Sequence, residues 1–328
     1  MNSRDNFASN QERPHNSASS LQGNRLIHLS ACPAACVIGL RRPDLSKIYR
    51  DIGGVMSANF VLRAGLGLFA ASYLLISHAG ELVSIPTRAS VTQGIYIEEG
   101  ASTSPSTAAT SAAHWIVVLF AGDDGAVDLR EGGPARMRGN FLLRSSAYWN
   151  TLGAIPVVFD VPSDYARGMD DSFRLSDEQA QDVAAAVALL RKKYPDAKIA
   201  LVGTSRGSIS VGNILKREPQ VADAYVMTSP VTLPGRGGPG LAGVSWEHGA
   251  ARVLVLSNKG DGCVVSPFWS AKKMAEAGGF DFIEVSSDAG ASRMPEACKA
   301  NSPHGYLGIE TQVLDAVNGW LGAAPSTN

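Results

Sequence analysis

The sequence predicts an α/β protein built on a mostly parallel sheet of about eight strands flanked by helices. Past residue 80, short apolar runs rich in β-branched residues alternate with longer stretches whose apolar residues recur at helical spacing, and no internal repeat interrupts them. The strands expected on this pattern are residues 82–87, 94–98, 115–121, 155–161, 199–203, 224–228, 253–257 and 281–285, the first two forming an antiparallel edge. The helices are 140–152, 176–193, 208–216, 267–277 and 306–321. The helix at 176–193 carries the clearest signal. Ala180, Val183, Val187 and Leu190 share one face, Ser176 with Gln179 three residues on has the form of a capping box, and Pro195 follows the end. Residues 101–113, all Ala, Ser and Thr but for one Pro, read as a surface loop between edge and core strands.

Of 328 residues, 45% are hydrophobic and 18% charged, which excludes disorder throughout, a coiled coil and collagen. Lys plus Arg (29) nearly balance Asp plus Glu (30). The basic footprint that phosphate backbones demand is missing, so no nucleic-acid partner is expected.

The chain before residue 80 reads differently. Residues 1–23 are rich in Asn, Ser and Gln with little that could enter a core, and 1–55 read as a disordered extension or as sequence upstream of the true start. Arg63 is followed by seventeen residues, 64–80, without formal charge, including Phe69, Leu74 and Leu75, and Ser77 and Ala79 place small residues three before and one before a cut after Ala79. Residues 56–79 therefore read as a signal peptide, Met56 being a start at ordinary distance. The stretch falls short of the about 20 apolar residues a spanning helix needs, so the membrane is a partner only through this segment if it stays uncleaved. Leu29-Ser30-Ala31-Cys32 has the look of a lipoprotein box, but the residues before it are too few and too polar. Eight basic and four acidic residues lie before residue 80, which leaves a mature chain 80–328 with a net charge of −5 and a secreted or periplasmic destination. Cys32 and Cys36 depart with the leader. Cys263 and Cys298 remain as a pair in an oxidising compartment, where a disulfide is the default.

The chemistry begins at Gly203-Thr204-Ser205-Arg206-Gly207, directly after an apolar strand and before a helix. Two flanking glycines permit a tight strand-to-helix turn that presents Ser205 at the carboxyl end of the sheet, beside the positive end of the following helix. As a bare pattern Gly-x-Ser-x-Gly is weak; its place between strand and helix makes it specific.

Here the chain resembles the α/β-hydrolase superfamily, and the resemblance runs over residues 81–322 in strand order. It implies a three-layer α/β-hydrolase fold in which the elbow serine is the nucleophile, an acid follows a later strand, and a histidine lies near the carboxyl terminus. The matching residues are Ser205, Asp261 in Asn258-Lys259-Gly260-Asp261-Gly262-Cys263, and His304 in Ser302-Pro303-His304-Gly305-Tyr306. A serine hydroxyl needs a neutral imidazole to take its proton, and the imidazole needs a carboxylate to set its tautomer. Each of the two partners has an ordinary alternative, His304 as a helix-capping loop residue and Asp261 as a turn former beside Gly262. The other histidines beyond the leader, His114 and His248, fall at the wrong edge of the sheet; Asp288 and Asp164 are the alternative acids, Asp288 ahead of Asp164. The resemblance further implies an oxyanion hole from the amide of Arg206 and that of Gly122 or Asp123, although Ala121 stands where the family often has a histidine. Asp123 and Asp124 read as a solvated acidic turn in preference to a metal site. The Arg206 side chain either faces the pocket or turns inward to loop carbonyls.

A disulfide between Cys263 and Cys298 would tie the acid loop to the base loop. The 24 residues between 228 and 253 are mostly Gly, Pro and small side chains, so little or no lid is expected. The reading is an exported serine hydrolase acting on carboxylic esters through an acyl-enzyme, on a small-molecule or polymer-end acyl substrate, with no metal or organic cofactor implied. A peptidase or acyltransferase on the same side chains, or an inactive hydrolase-like module, are the alternatives.

Overall fold

The structure, a computed structural model, describes residues 80–100 and 115–324. The leader with its expected cut after Ala79, Cys32 and Cys36, the 101–113 loop and His114 lie outside the described residues. All eight expected strands form. They are β1 (Glu81–Arg88), β2 (Val91–Ile97), β3 (Trp115–Phe120), β4 (Ile155–Pro162), β5 (Lys198–Thr204), β6 (Ala224–Thr228), β7 (Val253–Asn258) and β8 (Asp281–Val285). They hydrogen-bond in the order β1-β2-β4-β3-β5-β6-β7-β8. β1 pairs antiparallel with β2 and β2 antiparallel with β4, while every pair from β4 to β8 is parallel. A further two-residue hairpin, Leu129–Arg130 with Gly133–Pro134, lies outside this sheet.

The central strands are apolar on both faces because both faces are covered. Ile116, Val118 and Phe120 of β3 belong to one core with Ala180, Val183, Val187 and Leu190 of helix α4 (Asp177–Lys193), with α5 (Gly207–Arg217), and with Ala271 and Ala275 of α6 (Phe268–Gly278). The alternate residues Val117 and Leu119 belong to the opposite core. Phe141 and Leu142 of α1 (Phe141–Arg144), Trp149 of α2 (Tyr148–Thr151) and Val313, Leu314 and Val317 of α7 (Glu310–Gly322) complete it. Period 2 along the strand and period 3.6 along the helices produce the three layers.

Three helix expectations are corrected. The continuous helix over 140–152 is two single turns, because the Ser145 hydroxyl donates to the Phe141 carbonyl (2.5 Å) and competes with the main-chain ladder. The helix from 306 begins at Glu310, since Tyr306 (φ 57°) and Gly308 (φ 80°) are left-handed and break it. The capping box at Ser176 is half formed. Ser176 Oγ accepts from the Gln179 amide (3.1 Å), but its own amide already donates to Phe173 O (2.9 Å), at the end of a helix the sequence pattern did not reveal, α3 (Asp171–Arg174). The segment between β6 and β7 holds no helix, and no helix of the described residues is long and apolar enough to cross a membrane.

Candidate active site

The strand order reverses about β3, with β4 on one side and β5 on the other, and at such a switch point a crevice opens beyond the carboxyl ends of the strands. Ser205 sits there, between β5 and α5, at φ 52°. The two glycines of the elbow are sterically required. A Cβ on Gly203 would lie 2.5 Å from Gly207 O, and one on Gly207 would lie 2.1 Å from Phe120 O on β3. The strained serine is over-determined by its surroundings: its amide donates to Thr228 O (3.0 Å), and its carbonyl accepts from the Ser208 amide (2.9 Å) and hydroxyl (2.6 Å).

Asp261 follows β7 in a turn organised by buried Asn258, whose Oδ1 accepts from Gly260 N (2.9 Å) and Ser287 N (3.0 Å) while its Nδ2 donates to Pro303 O (2.9 Å). One amide side chain thus ties the acid turn to the segment carrying His304. Asp261 Oδ1 accepts from Cys263 N (2.8 Å), and Oδ2 meets His304 Nδ1 at 2.8 Å. A carboxylate only accepts, so the proton on that edge belongs to Nδ1, and in the neutral imidazole Nε2 keeps a lone pair. Nε2 is buried without a hydrogen-bond partner.

His304 lies in the single 3₁₀ turn Pro303–Gly305, held from several sides. Ser229 Oγ donates to His304 O (2.9 Å), and Arg144, paired with Glu310 at 2.8 Å, donates to Gly305 O (2.6 Å). Gly305 has no room for a side chain, since its Cβ would lie 2.2 Å from Ala300 O. Tyr306 is fully buried, its hydroxyl donating to Leu256 O (2.9 Å) and accepting from Ser229 N (2.8 Å); burial pushes its ionisation far above the ordinary tyrosine range. Asn258, Ser229 and Tyr306 were not singled out from the sequence. Asn258 stood in the motif around Asp261 and Tyr306 two residues after the candidate histidine, where it was assigned to the helix; neither was given a role.

Ser205 and His304 line one cleft of about 440 Å³, together with Gly122, Asp123, Arg206 and both cysteines. Gly122 packs against the serine, where a Cβ would stand 3.4 Å from Ser205 Oγ. A disulfide joins Cys263 to Cys298 across 35 residues and forms part of the cleft wall. Asp261, Cys263 and His304 place donor atoms within 4.8 Å of one another, but the cysteine sulfur is committed to the disulfide, so the trio retains two ligands. Asp124 caps Ala126 N (3.0 Å) and pairs with Arg136, and Asp123 reaches towards Lys299 at 3.9 Å. Of the alternative acids, Asp164 pairs with Arg88 at 2.9 Å and Asp288 is exposed; neither lines the cleft. His248 packs beside Gly279, between α6 and β8. The Arg206 side chain turns inward to Asp171 and Gly237 O.

No protein-family model matches the chain, and no curated protein does. Among solved structures, an alpha-beta serine hydrolase homologue from Coxiella burnetii superposes with a TM-score of 0.50 at 14% identity, covering 75% of this chain and 99% of its own. The chain has the α/β-hydrolase fold. A lidless α/β serine hydrolase from Xanthomonas campestris is also similar, at TM-score 0.49 and 16% identity over 76% of this chain and 99% of its own. In this α/β-hydrolase fold the elbow, the acid turn and the histidine turn all stand at the carboxyl edge of the parallel strands.

Proposed function

We propose that this protein is a serine hydrolase of carboxylic esters working through an acyl-enzyme, with Ser205 as nucleophile, His304 as general base and acid, and Asp261 as the group that orients and electrostatically supports the imidazole. The observation that carries the reading is His304 itself: one ring nitrogen is bound to a buried carboxylate and the other is a buried lone pair beside the cleft that Ser205 lines. Substrate binding brings the serine hydroxyl onto that nitrogen, a contact that is commonly long in free enzymes. The hydroxyl proton passes to Nε2 as oxygen attacks the ester carbonyl; the Arg206 amide and that of Gly122 or Asp123 receive the developing oxyanion. The imidazolium then protonates the departing alcohol, and water repeats the sequence to release the acid. No bond outside helices and strands uses the amide of Arg206, Gly122 or Asp123 among the described residues, so these donors are available.

The cleft is open, and among the described residues no helix between β6 and β7 covers it, which suits short acyl groups or the exposed end of a polymer. Export through residues 56–79, with a cut after Ala79, is part of the proposal, and sequencing the amino terminus of the exported protein checks it. The full chain is assayed with short-chain nitrophenyl esters and a fluorophosphonate label, beside Ser205→Ala. Turnover and labelling that vanish in the variant support the reading. A wild type that neither turns over esters nor takes the label overturns it, and cleavage of peptide anilides with esters untouched makes it a peptidase.

A further inference from the structure

Helix α3 carries two buried charges one turn apart: Asp171 holds the side chain of Arg206, next to Ser205, and Arg174 holds the main chain of the turn after β3 that packs against the serine. Asp171 is 2% exposed and Arg174 0%. Asp171 Oδ1 accepts from Arg206 Nε (2.8 Å) and Nη2 (2.5 Å), and Oδ2 accepts from Gly240 N (2.9 Å). Arg174 Nη1 donates to Ser210 Oγ (2.9 Å) on α5, and Nη2 donates to the carbonyls of Asp123 (3.3 Å) and Ala121 (3.5 Å) on the turn after β3. Its Nε has no partner.

The main chain is shaped around these two side chains. At Gly125 (φ 75°) a Cβ would stand 2.5 Å from Arg174 Nη2, and at Gly238 (φ 132°) one would stand 2.6 Å from Asp171 Cβ. Burial lowers the Arg174 pKa to about 10, and carbonyls are weaker compensation for a guanidinium than a carboxylate of its own. A well-packed apolar side chain would fill this space at less cost in stability, so the arrangement is better explained by what it holds in place. In a trans peptide the carbonyl and the following N–H point in opposite directions. Ala121 O and Asp123 O are drawn onto Arg174, and Gly122 O accepts from Gly125 N (3.0 Å). With those carbonyls turned inward, the Gly122 and Asp123 amides are left to the cleft that both residues line.

We propose that Asp171 and Arg174 are positioning residues for the oxyanion hole, Asp171 orienting Arg206 and Arg174 orienting the 121–123 turn. This rests on the hydrolase reading. Losing one aligned donor lowers kcat by about 10²-fold in comparable sites. The test measures kcat and KM for a nitrophenyl ester per active site, counted by fluorophosphonate labelling carried to completion, in full-length wild type, Arg174→Met, Arg174→Lys and Gly125→Ala. Expected is a fall in kcat per labelled site of about 10²-fold in Arg174→Met and Gly125→Ala with KM within threefold, and partial recovery in Arg174→Lys. A purely structural role would reduce the number of labelled sites and the melting temperature and leave kcat per site alone; that result overturns the proposal. If Arg174→Met does not fold, Gly125→Ala and Arg174→Lys decide by the same ratio. A silent, unlabelled wild type would sink the hydrolase reading and this inference together, whereas an active wild type with unaffected variants sinks only the inference.

Discussion

Replacing Asp261 with Asn tests the arrangement with almost no change in shape. Oδ1 accepts from the Cys263 amide at 2.8 Å and Oδ2 faces His304 Nδ1 at 2.8 Å. An asparagine must keep its carbonyl oxygen where Oδ1 is, because the opposite flip would set its NH₂ against the Cys263 N–H. Its Nδ2 donors then face His304 Nδ1, which has to become the acceptor, and the ring proton moves to Nε2, where a base for Ser205 needs a lone pair. The wrong tautomer costs about 10⁴-fold in kcat in a triad of this kind, about 5.5 kcal/mol of transition-state stabilisation. The assay is kcat on a short nitrophenyl ester, normalised to correctly folded protein by its unfolding transition. A variant within tenfold of wild type would refute the assigned tautomer and with it the role of Asp261. Asp261→Ala separates the two effects, since it removes support without enforcing the tautomer and should lose less.

Reducing the Cys263–Cys298 disulfide releases a 35-residue loop and should lower stability by roughly 3 to 4 kcal/mol, read as a drop in the denaturant midpoint of Cys263→Ser/Cys298→Ser; unchanged unfolding would contradict the chain-entropy argument. Gly319 lies inside α7 with nothing within 4 Å of an added Cβ, so Gly319→Ala should raise stability by about 0.5–1 kcal/mol. Gly207→Ala, 2.1 Å from a strand carbonyl, should instead lose both folding yield and turnover, and equal melting temperatures for the two variants would refute this steric reading. Burial raises the Tyr225 pKa to about 12 and Tyr306 further. Both sit above the unfolded value of 10.0, so the native state holds more protons than the unfolded chain once pH exceeds it. Stability should therefore fall as pH rises from 10 through 12, and neither ring should show tyrosinate absorbance in the folded protein near pH 10; their ionisation at that pH in a still-folded protein would contradict it.

Along one strand or helix, hydrophobic periodicity and punctuation are local properties, and all eight strands were legible from them. Helix 176–193 was legible too, because Ser176, its apolar face and Pro195 all speak to the same element. The split of 140–152 was not, since it depends on where one hydroxyl, that of Ser145, finds its acceptor. Among site residues, Ser205 was marked by two glycines whose need is steric, and Asp261 and His304 by their order along the chain. The grip of Asn258 on Pro303, the burial of Tyr306 and the hold of α3 on both flanks of the elbow join residues far apart in sequence. Nothing near Arg174 in the chain announces that its guanidinium will be sealed beneath the turn at 121–123. Sequence by itself determined the layers and the candidates for reactive groups, because patterning and functional-group chemistry belong to residues taken singly or in short runs. Tertiary structure alone decided which carbonyls face inward and which residues line the cleft, because those positions are set by side chains arriving from other elements.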